Sequence, residues 1–192
     1  MIITIDGPVA TGKSTIARLL ANEIGFIYFD TGAMYRCFTY FLLQNNVNLD
    51  DHTAIARLLP SFKFDIKAFR GERNYFVGKE NVTEKIRGEA VTKSVSKVSA
   101  YPEVREKMVV LQKELGKGLN AVFEGRDMGT TVFPAADLKI FLSGRPEIRA
   151  ERRFVELKQR FPEETKNLTI ADVLKEISER DAYDMNREHS PL

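Results

Sequence analysis

Apolar positions recur along this chain with two different periods. Short unbroken runs occupy Ile2–Ile5, Phe26–Phe29, Ala121–Glu124 and Leu138–Leu142. Runs of that length, rich in β-branched and aromatic residues, fit strands buried on both faces. Between them apolar residues return every three to four positions. That spacing predicts helices over about 33–44, 53–59, 89–99, 103–115, 146–160 and 170–186. Ile16, Leu19, Leu20 and Ile24 recur in the same way after the first run, and Gly25 is placed to end their helix. Strands alternating with helices specify an α/β fold, a parallel sheet with helices on both faces. Ligands then collect beyond the carboxyl ends of the strands.

One stretch breaks the rhythm. From Ser61 to Asn81, Phe62, Phe64 and Ile66 alternate with Lys63, Asp65 and Lys67, and Asn74-Tyr75-Phe76-Val77 follows a turn-like Arg70-Gly71-Glu72. Period-2 alternation predicts a half-exposed antiparallel hairpin, a small β insert beside the main sheet.

Composition changes this picture little. At 192 residues the chain fits one compact domain, and 43% hydrophobic content is ordinary for a globular core. The formal net charge of +2, from 29 Lys+Arg against 27 Asp+Glu, gives no support to bulk nucleic-acid or anionic-membrane binding. The single cysteine, Cys37, sits among apolar residues of a helical pattern and reads as a buried structural thiol. One cysteine with His52 and His189 defines no metal site. Without a signal-peptide pattern or an apolar run approaching the ~20 residues of a membrane span, a soluble cytoplasmic protein is expected.

The chemistry starts at GPVATGKST. Gly7, Gly12, Lys13 and Ser14 fit G-x-x-x-x-G-K-[ST], set between a strand and a helix. Such a loop turns successive N–H groups toward one anion, and the following helix points its N-terminus at it. Lys13 adds positive charge over the β- and γ-phosphates, and the Ser14 hydroxyl is a ligand for Mg²⁺. The motif reads as a nucleoside triphosphate site without saying what happens to the nucleotide.

Three further clusters fall where ligands collect or on one helix face. DTGAMYR, Asp30 to Arg36, follows the second strand. It reads equally as a capped helix start or as a hydroxyl and a guanidinium for a phosphate. EGRDMG, Glu124 to Gly129, follows the third strand, where an acidic residue can hold water on Mg²⁺ and Arg126 and Asp127 can meet a second ligand; a glycine-bounded turn with a local ion pair is the alternative. Arg180, Asp184 and Arg187 line one face of the last helix, as they also would in an ordinary salt-bridged surface. Finally, Arg145, Arg149, Arg152 and Arg153 cluster on the helix opened by Pro146. Positioned guanidinium groups stabilise a phosphoryl group in flight, worth ~10³–10⁵ in rate where an arginine finger acts.

Taken in order, GPVATGKST, DTGAMYR, GRDMGTTVFP, RPEIRAERR and RDAYDMNR resemble the bacterial cytidylate kinase family over nearly the whole chain. The resemblance implies a nucleoside monophosphate kinase fold with a phosphate loop, a small antiparallel insert and a helical lid. It implies one kinase domain over 1–192, with a core of about 1–30, 103–145 and 168–192, a monophosphate-binding region of about 31–102 and a lid of about 146–167. It implies transfer of the ATP γ-phosphoryl group to CMP or dCMP with Mg²⁺, by a cytoplasmic monomer.

The family's roles fall on matching positions. Gly7, Pro8, Val9, Ala10, Thr11, Gly12, Lys13, Ser14 and Thr15 hold ATP. Thr31, Ser96, Arg105 and Asp127 read the cytosine, with Asp127 on its exocyclic amine. Arg36, Arg126 and Arg187 hold the CMP phosphate, and Arg180 and Asp184 lie near the sugar. Lys13 and Arg126 act on the reacting phosphates together with Arg149, Arg152 and Arg153 of the lid. Ser14 and, through water, Glu124 serve Mg²⁺. The family usually has Asp where Glu124 stands. Its chains also run on through a further strand and helix, so four core strands are expected here instead of five.

Three rival readings fare differently. A GTPase needs [NT]-K-x-D and D-x-x-G, and neither occurs. Another small-molecule kinase of this fold, for shikimate, uridylate or adenylate, differs mainly in the base-reading set. A non-catalytic nucleotide sensor has no need of the lid arginines.

Overall fold

The computed structural model describes residues 1–69 and 72–192, so the Arg70-Gly71 part of the expected turn lies outside the described residues. The chain divides into two compact units, one of residues 1–29 and 118–192 and the other of residues 30–117.

The first unit is built on a four-stranded sheet. β1 (Ile2–Asp6), β2 (Ile27–Asp30), β6 (Ala121–Gly125) and β7 (Leu138–Phe141) lie in the order β2-β6-β1-β7. β1 runs parallel to both neighbours, pairing Asp6 with Gly125 on one side and with Phe141 on the other. The carboxyl ends of β1, β6 and β7 therefore share one edge. Thr4, Ile5, Ala121, Val122 and Phe123 are fully buried, as the unbroken apolar runs require.

α1 (Lys13–Glu23) ends at Ile24, and Gly25 supplies the left-handed residue (φ +69°) that turns the chain into β2. The apolar spacing predicts this helix, yet Ile16, Leu19 and Ile24 are exposed. Its buried face is Ala17 and Ala21, packed with Ile3, Ile5 and Val122. Alanines leave room for the helix to lie close to the sheet, so the small residues face inward and the large ones outward. α6 (Pro146–Arg160) and α7 (Ile170–Asn186) pack together through Ala150, Val173 and Ile177. α7 begins in a capping box, with Thr169 accepting from the Asp172 N–H and Asp172 from the Thr169 N–H.

The second unit holds α2 (Thr31–Gln44), α3 (His52–Leu58), β3 (Phe64–Phe69), β4 (Glu72–Val77), β5 (Glu80–Asn81), α4 (Glu89–Val98) and α5 (Pro102–Gly116). Asp30 and Asp51 cap α2 and α3 by accepting N–H groups of Ala33 and Ala54, both at 2.9 Å. The expected hairpin is present, with Phe64 opposite Val77 and Ile66 opposite Tyr75. A two-residue third strand, β5, extends it. Phe38, Leu42, Ile55, Val82, Ile86, Val98 and Met108 form a core without solvent exposure.

Gly7 is fixed by sterics as well as by motif. Its φ is +149°, and a Cβ there would lie 2.0 Å from the backbone oxygen of Leu142. Neither chain can give way locally, because the Leu142 N–H donates to the Asp6 oxygen at 2.7 Å. Gly7→Ala is expected to cost at least about 2 kcal/mol, a fall in Tm of roughly 4–8 °C for a chain of this size. A thermal melt within a degree of the parent would refute this.

Candidate active site

The loop after β1 is a tight turn. Gly7, Ala10 (φ +58°) and Gly12 (φ +92°) all have positive φ, and Gly12 leads directly into α1. Lys13, the first residue of α1, is buried and folds back to donate from Nζ to the Pro8 carbonyl at 2.5 Å. The Thr11 hydroxyl donates to the same oxygen at 3.1 Å. Ser14 and Thr15 are exposed in the first turn of the helix. Burial pushes the Lys13 ammonium down to about 7, and Arg126 and Arg180 push the same way against the pull of Glu124 and Asp181.

The end of β6 supplies the facing groups. Glu124 is buried and accepts from the Tyr28 hydroxyl at 2.5 Å. Arg126 donates from Nε to Asp184 Oδ2 at 2.8 Å. Asp127 is buried, with Arg187 Nη2 3.8 Å from its Oδ1. Arg187 also stands 3.8 Å from Asp184 and donates from Nε to the Ser190 carbonyl at 2.7 Å.

Asp6 organises this segment. Its two carboxylate oxygens accept the N–H groups of Met128 (2.9 Å) and Gly129 (2.8 Å), which begin a π-type turn over Met128–Val132. Burial raises the Asp6 carboxyl, the two N–H groups oppose that rise, and Asp127 adds to it.

On α7, Arg180 is held down to about 10 by burial and then by Arg126, with Asp184 opposing and Arg153 adding to the depression. Its buried Nε has no hydrogen-bond partner. On α6, Arg149 is buried, Arg152 is exposed and Arg153 pairs with Glu156 at 2.9 Å. The first unit thus gathers Lys13, Glu124, Arg126, Asp127, Arg153, Arg180, Asp184 and Arg187, and leaves Arg152 in solvent.

The remaining expected residues lie in the second unit. Thr31 is buried at the start of α2. Arg36, one turn on, donates from Nη1 to Thr92 Oγ1 at 2.9 Å and to the Ile86 carbonyl at 3.2 Å. Ser96 is half-buried on α4, one turn after Thr92. Arg105 is buried, donates to the Ser99 carbonyl at 3.1 Å and lies 5.6 Å from the Tyr35 ring centre. The four residues therefore lie on α2, α4 and α5, and α2 packs against each of the other two.

Asp6 and Tyr28 carry no motif signal of their own, and Asp181, though inside RDAYDMNR, has no role assigned from it. Asp6 could be suspected from its place directly before Gly7. Tyr28 and Asp181 acquire their contacts only from folding.

A strand, a positive-φ loop, a buried lysine and a helix N-terminus, with Arg126 and Arg180 beside the lysine, define a phosphate-loop nucleotide-binding protein. Cytidylate kinase is the family whose profile matches, over residues 3–192. The cytidylate kinase of Protochlamydia amoebophila (strain UWE25) is 60% identical over all of this chain and 84% of its own length. Those of Caldicellulosiruptor bescii and Geobacillus thermodenitrificans are each 46% identical over 99% of this chain and 82% and 83% of their own. The chain belongs to the cytidylate kinase family, and so to the phosphotransferases that act on nucleoside monophosphates. No described helix is long and apolar enough to cross a membrane.

Proposed function

We propose that the protein transfers the γ-phosphoryl group of ATP to CMP or dCMP, giving ADP and CDP or dCDP. The observation that carries this reading is the crowding of a buried lysine with half-buried arginines. Arg126 and Arg180 both depress the protonation of Lys13, Arg126 depresses that of Arg180 as well, and the buried Arg180 Nε lacks a partner. Like charges packed this way are costly unless an anion of high charge is to be held among them.

Under this reading the loop from Gly7 to Thr15 holds the ATP phosphates, with Lys13 swinging from the Pro8 carbonyl onto them. Arg36, Arg126 and Arg187 take the acceptor phosphate, and Arg180 and Asp184 the sugar. Thr31, Ser96, Arg105 and Asp127 select cytosine, whose amine donor suits a carboxylate and whose O2 and N3 acceptors suit hydroxyl and guanidinium donors. Arg152 and Arg153 add charge over the transferring group. No general base is needed, since the attacking phosphate is already anionic and in-line positioning carries the reaction.

Mg²⁺ fits the residues present. The Ser14 hydroxyl and the Glu124 carboxylate are hard oxygen donors of the kind it takes, Glu124 through water. When bound with ATP it offsets charge on the β- and γ-phosphates. Tyr28 holds Glu124 in place for this role. The same reading makes the protein a cytoplasmic monomer.

The test is ADP formation from Mg·ATP with CMP, dCMP, UMP, AMP and shikimate offered separately. Turnover with CMP and dCMP well above the rest is expected. Preference for another acceptor would overturn the base-reading set while leaving the kinase class.

Lys13 also predicts a proton linkage. In the free protein its ammonium titrates at about 7, against 10.5 for an ordinary lysine. Unfolded chains keep that proton up to about 10. This group's penalty on stability is therefore fully present below pH 7 and fades as pH rises toward 10. A polyphosphate restores the charged form, so ATP binding at pH 8 should take up a proton and weaken as pH rises. Calorimetry in buffers of different ionisation enthalpy measures this. A binding enthalpy independent of buffer would count against it.

A further inference from the structure

Arg149 and Asp181 form a buried ion pair at 2.6 Å, with side chains 5% and 9% exposed. Both also hold the same loop residue. Asp181 Oδ1 accepts the Val9 N–H at 3.0 Å, and Arg149 Nη1 donates to the Val9 carbonyl at 2.8 Å. Arg149 Nε is anchored on the Gly144 carbonyl at 3.0 Å. The Val9 side chain packs against the cluster of Ala150, Val173 and Ile177 beneath.

Val9 is where the loop most needs holding. It lies between Gly7 and Ala10, both at positive φ, in a segment with no ladder of its own. Its N–H and its carbonyl belong to two successive peptide planes, so the pair fixes both. In a trans peptide the N–H points opposite to the carbonyl. Fixing the Val9 carbonyl on Arg149 therefore aims the Ala10 N–H away from the ion pair.

A buried ion pair is rarely retained for stability alone, because a well-packed apolar pair of similar volume is often as good. An apolar pair cannot hold an N–H and a carbonyl. We propose that Asp181, acting with Arg149, is a positioning residue that sets the Val9 peptides of the phosphate loop for ATP. Arg149 is then a clamp on the donor loop rather than a charge over the transferring group. This rests on the assignment of that loop to ATP above. The clamp is also one residue from Arg180 and three from Asp184, so one turn of α7 serves the donor loop and the acceptor groups.

The test pairs two variants of the full chain. In Arg149→Met with Asp181→Leu, volume is kept and the charges are gone. Its Tm should stay within a few degrees of the parent, while KM for ATP rises at least tenfold, kcat falls at least tenfold and KM for CMP changes less than threefold. Native Tm together with native ATP kinetics would overturn the proposal, since packing alone would then explain the pair. Should the double variant fail to fold, Asp181→Asn decides. It can still accept the Val9 N–H but loses the ion pair that aims Arg149. A tenfold rise in KM for ATP with KM for CMP within threefold supports the clamp. An unchanged KM for ATP, or equal rises for both substrates, overturns it. Lys13→Met, assayed for ATP binding alongside, reports on the loop assignment itself: undiminished binding would remove that assignment, and this proposal with it.

Discussion

Lys13→Met should cut kcat by about 10²–10³, the usual cost of one preorganised charge at a reacting group, while leaving the protein as stable or more so. The two effects have one cause. The ammonium is buried beside Arg126 and Arg180 and titrates near 7, so the free protein bears an electrostatic cost for it. Methionine fills similar space with no charge. The Pro8 carbonyl loses the lysine but keeps the Thr11 hydroxyl. A thermal melt at pH 7 should show Tm held or raised, by roughly 2–4 °C for each kcal/mol relieved. A drop of several degrees would mean that the lysine braces the free loop and that its charge is not a burden there.

Asp127→Asn should lower the ratio of kcat/KM for CMP over UMP by about 10²–10³. Asparagine keeps the shape and one carbonyl oxygen, but it presents an amide donor that uracil's O4 can use. The variant should fold. Arg187 remains near Asp184, and the backbone of the π-type turn is held by Asp6 and not by the Asp127 carboxylate. Kinetics with both acceptors decide this. An unchanged ratio, with both substrates equally slowed, would remove Asp127 from base reading and leave it a structural partner of Arg187.

Much of this was legible in the chain because it is local. The four sheet strands, the hairpin at 61–81 and the helices at 146–160 and 170–186 each follow from a period and a boundary residue. The phosphate loop follows from residues that nearly touch in sequence. What stayed hidden depends on distant partners. The turn at Met128–Val132 exists because Asp6, more than a hundred residues earlier, accepts its first two N–H groups. Asp181 reads as one more acid in a charged helix until Val9 and Arg149 are brought to it. Periodicity located α1 but could not show that its alanines face inward. A 3.6-residue stripe marks a helix without saying which side the sheet will take. β5 is two residues long and carries no pattern at all.

The lone thiol has a practical consequence. Cys37 has no exposed surface, and burial, with Asp30 adding, raises it to about 12. At pH 8 it carries about three orders of magnitude less thiolate than an ordinary cysteine, and thiolate is what alkylating and oxidising reagents attack. The natural chain is thus already a silent background for site-directed labelling. Val155, half-exposed on the outer side of α6, is a suitable place for a reporter. In Val155→Cys a maleimide dye should attach once per folded molecule, whereas the parent should react only in denaturant. Rapid labelling of the folded parent would show that the α2 core opens far more often than its packing implies.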